Sequence, residues 1–211
     1  MGLSIAIVVV GLLAAYLLGS IPTGFLLAKL LKGIDIREHG SGNTGATNVF
    51  RVIGKGAGIT ALVIDLLKGV AAVFLMHWLL GAVFDETLSG ALGSWLSVSA
   101  ALCAVIGHSK SVWLGFTGGK SAATSLGVLL ALSWPVALSV AAVFGTALGI
   151  SRTVSVGSIA AALSAVIFMR ALHQPLAYVL LALSGGAYVV YLHRSNISRL
   201  MSGSEPKTFG S

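Results

Sequence analysis

From Leu3 to Leu192 the sequence alternates between apolar runs that approach or reach membrane-crossing length and short polar segments. That pattern restricts the fold more than any motif does. Lipid offers no hydrogen-bond partner to backbone N–H and C=O groups, so a run of some 20 apolar residues satisfies them internally as a helix. Hydrophobic residues make up 56% of the 211-residue chain and charged residues only 9%, against about 25% charged in an ordinary globular protein. Mean hydropathy is +0.99. No polar stretch is long enough for a soluble domain. The expectation is therefore one all-α, polytopic integral membrane domain over residues 1–211. Its 27 glycines suit closely packed membrane helices.

The first run, Leu3 to Ser20, is interrupted by Ile21-Pro22-Thr23-Gly24 and resumes to Leu31. Proline and glycine there predict a kink or break. The run lacks a basic segment before it and is too long for a signal peptide, so an uncleaved span is expected. Later runs cover about Ile59–Val83, Ala91–Ile106, Ser121–Ile150, Val154–Phe168 and Leu176–Leu192, with a short loop at Asp85, Glu86 and Thr87. Pro135 sits mid-way through 121–150, which reads either as two short spans meeting at Trp134-Pro135 or as one broken helix.

The basic residues decide between these. With seven crossings and the amino terminus outside, every Lys and Arg except Lys68 and Arg170 lies on the cytoplasmic side. One crossing at 121–150 would put Arg152 and the basic tail outside. The positive-inside rule selects seven crossings with a cytoplasmic carboxyl terminus. It also explains the net charge of +7, since these residues sit in short loops and not on a nucleic-acid-binding surface. The lone Cys103 lies in an apolar run and reads as packing.

All the polar clusters then share the cytoplasmic face. In Gly40-Ser41-Gly42-Asn43-Thr44-Gly45-Ala46-Thr47-Asn48-Val49-Phe50-Arg51, nine of twelve residues are Gly, Ala, Ser, Thr or Asn. Small residues allow close backbone approach, the Asn and hydroxyl side chains add neutral donors, and Arg51 adds a cationic fork. The stretch fits a cradle for an oxyanion such as phosphate, or else a flexible linker between helices. It is no Walker loop, lacking the Gly-Lys-Ser/Thr and a preceding strand. A second cluster runs from Gly107-His108-Ser109 to Gly118-Gly119-Lys120-Ser121, where a helix start and a Lys favour an anion. His108 is open to reading as ligand, base or structural hydrogen-bonder. The third cluster, Ser151 to Ser158, places Ser155 and Ser158 on one helix face. In the fourth, His193 and Asn196 lie at i, i+3. Asp65 and Lys68, one turn apart inside a span, either neutralise each other or order the cradle loop from below.

In order and over nearly the whole chain, these segments resemble the bacterial membrane glycerol-3-phosphate acyltransferase family that uses acyl phosphate, the PlsY family. The segments carrying the resemblance are Gly19-Ser20-Ile21-Pro22-Thr23-Gly24, the Gly40–Arg51 loop, Gly107-His108 with Gly118-Gly119-Lys120, Val154-Ser155 to Ser158-Ile159, and His193-Arg194-Ser195-Asn196-Ile197 with Arg199-Leu200. The resemblance implies transfer of an acyl group from acyl phosphate to glycerol 3-phosphate, giving lysophosphatidate and phosphate as the first acylation of phospholipid synthesis. It implies that Ser41, Gly42, Asn43, Gly45, Thr47, Asn48, His108, Gly118, Gly119 and Ser155 bind substrate. It implies that Arg51, Lys120, His193 and Asn196 carry the catalysis. It further implies a monomer in the inner membrane, with no cofactor or metal and no nucleic acid, working alongside the enzyme that makes acyl phosphate. Two departures stand out. Ser121 occupies the position where the family has Gly, and Ser109-Lys110-Ser111 replaces the Pro and aromatic residues expected after Gly-His.

The residues themselves limit the mechanism. No His is followed five positions later by Asp, no acidic residue lies within the second, third or fourth cluster, and no metal-ligand spacing occurs. A Ser-His-Asp triad thus lacks a third member. An anion-rich, base-poor site works by positioning and electrostatics. The family resemblance implies that the proton goes to a substrate phosphate oxygen, and the residues leave His193 as the alternative base. A phosphate or phospho-ester transporter is the competing class, but it predicts inverted repeats and polar residues at the bilayer midplane. A non-catalytic membrane anchor would leave several anion-suited clusters on one face unexplained.

Overall fold

The computed structural model describes residues 2–83 and 91–208. The loop expected at Asp85, Glu86 and Thr87 lies outside the described residues. The chain forms two compact units, Met1–Ala131 and Leu132–Ser211, and among the described residues it is helical, with only an isolated bridge between Ser111 and Thr117.

The first unit contains α1 (Gly2–Ser20), α2 (Thr23–Lys32), α3 (Ala46–Val52), α4 (Lys55–Val83), α5 (Ala91–Ser109) and α6 (Ala122–Leu132). Pro22 has no N–H to continue the ladder, and the run breaks there as the sequence predicts. Gly33, at φ +68°, closes α2 in the left-handed region. The 29 residues of α4 span about 43 Å, more than the ~30 Å of hydrocarbon.

Small residues bring these helices into backbone contact. A Cβ on Gly19 would collide with the Ala104 carbonyl, and one on Gly107 with that of Tyr16, so α1 and α5 touch at two glycines. Gly69 and Gly127 do the same for α4 and α6, against Thr124 O and Leu66 O. Such approach is how membrane helices gain packing when lipid removes the usual hydrophobic drive between them. Around it Ala15, Ala72, Met76, Leu80, Ala100 and Ala104 form the buried core, with Cys103 packed against it as expected. Leu13, Leu62, Phe74 and Trp78 face outward, where lipid is their solvent.

The second unit contains α7 (Trp134–Ser151), α8 (Val154–Ala171), α9 (Leu176–Leu192) and α10 (Arg194–Met201). In it α8 packs against both α7 and α9. Pro135 stands in the first turn of α7, where its missing N–H costs nothing. Thus 121–150 forms two helices, with Ser133 between them.

Five helical stretches are long and apolar enough to cross a membrane: Ile5–Lys32, Lys55–Ala82, Leu92–Ser109, Trp134–Ser151 and Val154–Ala171. A sixth is reached if α9 counts together with α10 across a bend of 58°. The seven expected crossings therefore rest on α6 as well. With 11 residues it is about 16 Å long, shorter than the hydrocarbon core.

Candidate functional site

In the first unit the Gly40–Arg51 loop is organised by Asn48, whose side chain is buried at its centre. Its Oδ1 accepts from Ser41 N–H at 2.9 Å. Its Nδ2 donates to His39 O and Asn43 O, both at 2.9 Å, and to Ile36 O at 3.3 Å. Asn48 thus gathers the loop around itself, and the amide expected to face substrate bonds to the loop backbone. Asn43 closes a second turn by accepting from Gly45 N–H at 2.8 Å, and Gly42 N–H donates to His39 O at 3.1 Å. The N–H groups of Ser41, Gly42 and Gly45 therefore hold the loop's own shape. Gly40 and Gly42, at φ +62° and +69°, supply its left-handed turns. Fully buried Ile36 and Val49 anchor it from inside, and Lys32 Nζ fastens its ends by donating to Val52 O at 2.9 Å. The loop is built, not slack. Thr47 and Arg51 stand one turn apart on α3 and share a face. Ser41 and Arg51 are exposed.

The second cluster lies against the first. Asn43 Nδ2 reaches Gly118 O at 3.4 Å across 75 residues of sequence. Gly119 N–H donates to His108 O at 3.0 Å, so this N–H too is taken up in holding the loop. His108 closes the last turn of α5 and is buried. Its ring lies directly beneath Gly119: a Cβ there would strike Nε2 and stand 2.8 and 2.9 Å from Cδ2 and Cε1. Lys120 follows, half-buried.

Ser121 adopts φ +60°, a region costly to any residue with a Cβ. This is the position where the resemblance leads one to expect Gly. Its carbonyl accepts from Ser125 N–H at 2.8 Å to start α6. Its buried hydroxyl does not cap that helix; it donates to Val105 O on α5 at 2.7 Å. The bond offsets the strain and ties the loop to α5.

Beneath these loops, Asp65 and Lys68 form an ion pair of 2.8 Å with side-chain exposures of 2% and 4%. Lys68 Nζ also donates to Ile21 O at 2.9 Å, at the break between α1 and α2. Asp65 Oδ1 lies 3.6 Å from His108 Nδ1.

In the second unit the third and fourth clusters meet. Ser155 opens α8; His193 and Asn196 lie at the bend from α9 into α10, and all three are buried. His193 Nδ1 is 2.7 Å from Val189 O. A carbonyl only accepts, so Nδ1 carries a proton and the ring is oriented by that bond.

Here the sequence reading missed a residue. Glu205, five positions beyond the fourth cluster, accepts from Ser155 Oγ at 2.8 Å and Asn196 Nδ2 at 2.6 Å through one oxygen, and from Arg199 Nε at 2.7 Å through the other. Its side chain is 5% exposed. The expectation that these clusters hold no carboxylate is corrected: the tail folds back and brings one in. Gly203, at φ +68°, makes the reversal, and Thr208 N–H secures it on Arg152 O at 2.7 Å. A glycine just past a basic helix, followed by an acidic residue, was the available signal. Burial raises the Glu205 pKa, but hydrogen bonds from Asn196, Ser155 and Arg199 outweigh it, and the carboxyl titrates below its ordinary value.

Among the described residues no group of three or more His, Cys, Asp or Glu could hold a metal ion. The loops of the first unit carry hydroxyl, amide, guanidinium and ammonium groups suited to anions, and the second unit by itself carries Ser155, Asn196 and the imidazole of His193.

Comparison with known proteins agrees with this chemistry. The family model described as glycerol-3-phosphate acyltransferase matches residues 9–203. A glycerol-3-phosphate acyltransferase of Acaryochloris marina is 52% identical over 202 residues, covering 93% of this chain and 90% of the relative. One from Trichormus variabilis is 50% identical over 213 residues, covering 98% and 94%. The crystal structure of PlsY, an integral membrane glycerol 3-phosphate acyltransferase, in its glycerol 3-phosphate form superposes with a TM-score of 0.86 at 38% identity over 96% of both chains. Its lysophosphatidic acid form gives 0.81 at the same identity, over 96% of this chain and 95% of that one. With a family model spanning residues 9–203 and relatives this similar over nine-tenths or more of their length, the chain belongs to the PlsY-type glycerol-3-phosphate acyltransferase family of integral membrane proteins.

Proposed function

We propose that this protein transfers the acyl group of an acyl phosphate to glycerol 3-phosphate, yielding 1-acyl-glycerol 3-phosphate and inorganic phosphate. The C–O bond between acyl carbon and phosphate breaks as the glycerol oxygen forms its ester. The hydroxyl proton goes to the departing phosphate or to His193 Nε2. In this reading Ser41, Gly42, Asn43, Gly45, Thr47 and Asn48 shape and line the seat for the phosphate of the acyl donor. Arg51, Lys120, Ser155, His193 and Asn196 engage glycerol 3-phosphate and the reacting groups. Clamping two anions offsets their repulsion and sets hydroxyl against carbonyl. Phosphate is already a competent leaving group, so positioning and charge suffice, without cofactor or metal.

The observation that carries the reading is the Asn43–Gly118 bond. It joins the two anion-suited loops into one assembly that includes Ser41, Thr47, Arg51 and Lys120. The glycerol 3-phosphate and lysophosphatidic acid forms of the solved relative support substrate and product. The distribution of Lys and Arg supports seven crossings in a single domain, α6 and α9 included, with the amino terminus outside and the loops facing the cytoplasm of the inner membrane. The protein works as a monomer beside the enzyme that supplies acyl phosphate.

The test is lysophosphatidate formation by purified protein with palmitoyl phosphate, palmitoyl-CoA in parallel, and Lys120→Ala as control. Product from acyl phosphate alone, sharply reduced but measurable in the variant, is the expected result. Equal use of palmitoyl-CoA would overturn the donor assignment.

A further inference from the structure

We infer that the buried trio Asp65, Lys68 and His108 is a strut that positions the Gly118-Gly119-Lys120 loop, and that His108 acts as a positioning residue rather than a substrate ligand. The inference rests on the acyl-transfer reading for the role of Lys120, and on the geometry of the first unit for everything else.

A pair of charges inside a membrane helix is costly to keep. Were neutralisation its only purpose, Asp65 and Lys68 would have no need of other partners. Both reach away from α4. Lys68 Nζ holds Ile21 O at 2.9 Å, where Pro22 has broken the first run. Asp65 Oδ1 faces His108 Nδ1 at 3.6 Å, beyond hydrogen-bond length but in packing contact with the ring. One pair therefore ties the α1–α2 break, α4 and the end of α5 together.

His108 passes that constraint upward. Its Nδ1 faces Asp65, and its Nε2 edge lies under Gly119, where even a methyl group would collide with the ring. Its carbonyl takes Gly119 N–H at 3.0 Å, and a Cβ on Gly118 would strike that same carbonyl. Ring and backbone together form the floor on which both glycines rest. The ring thus faces Asp65 on one side and loop backbone on the other. Gly118 O then accepts from Asn43, so the floor sets the height of the second loop against the first. A lysine carried by the next residue inherits that placement. Displacement of a positioned group by about 1 Å can cost ~100-fold in rate.

Two variants test this. Asp65→Asn/Lys68→Met removes the strut without stranding a buried charge, and His108→Ala removes the floor. Hydrogen exchange of 115–121 should accelerate at least about 10-fold in both, while the spans of α1, α4 and α5 keep their protection. Lysophosphatidate formation should fall at least about 10-fold in each, with KM for glycerol 3-phosphate rising as is expected for Lys120→Ala. Introduced into Lys120→Ala, the same changes should cost less than about 2-fold more, because a strut acting through Lys120 has nothing further to lose. Unchanged exchange at 115–121, uniform loosening of all three helices, or an equal activity loss in both backgrounds would each overturn the proposal. If the unsubstituted protein made no lysophosphatidate, the acyl-transfer reading would fall, while the exchange experiment would still decide the strut.

Discussion

Replacing Asn48 with Ala should disable the first loop while leaving the helices folded. The side chain makes three bonds of 2.9 Å, one accepted from Ser41 N–H and two donated to His39 O and Asn43 O, plus a longer one to Ile36 O. At 2% exposure, the groups left behind have little access to replacement water. At about 1 kcal/mol net for each good bond, truncation should cost the ordered loop about 3 kcal/mol. Since about 1.4 kcal/mol is a factor of ten, kcat/KM for acyl transfer should fall by roughly 100-fold. Asn48→Asp is the sharper control. It keeps shape and the acceptor for Ser41 but loses both donors, and sets a carboxylate against three carbonyl oxygens. It should be at least as inactive as Asn48→Ala. The assay is lysophosphatidate formation in detergent, with circular dichroism melts to verify the helices. Activity of Asn48→Ala within 3-fold of the unsubstituted protein, or a fully active Asn48→Asp, would refute the reasoning, because the loop would then hold its shape without this amide.

Ser121→Gly exchanges one buried bond for relief of a left-handed backbone, two terms of about 1 kcal/mol each, so its melting temperature should barely move. Ser121→Ala keeps the strain and loses the bond, and should melt about 2–4 °C lower; equal melting of the two variants would show that the bond to Val105 contributes nothing. Gly127→Ala drives a methyl into the Leu66 carbonyl and should destabilise strongly. Gly145→Ala, with nothing within 4 Å of its Cβ, should be neutral or stabilising in the same thermal assay. Glu205 has a lowered pKa in the folded chain, so its contribution to tail docking is complete above the ordinary Glu value near 4.3 and is lost as pH falls below that value through the folded pKa. A fluorophore at Ser204→Cys in a Cys103→Ala background should report release of the tail over that range. A flat signal between about pH 6 and 3 would contradict the docking described here, and Glu205→Gln should release the tail more readily at neutral pH.

Hydropathy by itself dictated helices in lipid, because backbone groups in hydrocarbon have no other partners. Local chemistry placed the break at Pro22, the start of α7 at Pro135 and the packing role of Cys103, since each depends on neighbours within a turn or on composition. The polar clusters were legible for the same reason: runs of Gly, Ser, Asn and Arg announce anion chemistry wherever the chain carries them. The arrangement within and between clusters was not. Asn48 reads as one more donor until the loop is seen closing around it. His108 reads as ligand, base or hydrogen-bonder until Asp65, 43 positions earlier in the sequence, is found beside its ring. Glu205 carries no local mark of partnership with Ser155, 50 residues away, and only the turn at Gly203 and the packing of α8 with α9 bring them together. Composition and spacing act through bonds and periods of a few residues; a buried charge takes whatever partner the folded chain delivers to it, and that choice belongs to the tertiary structure.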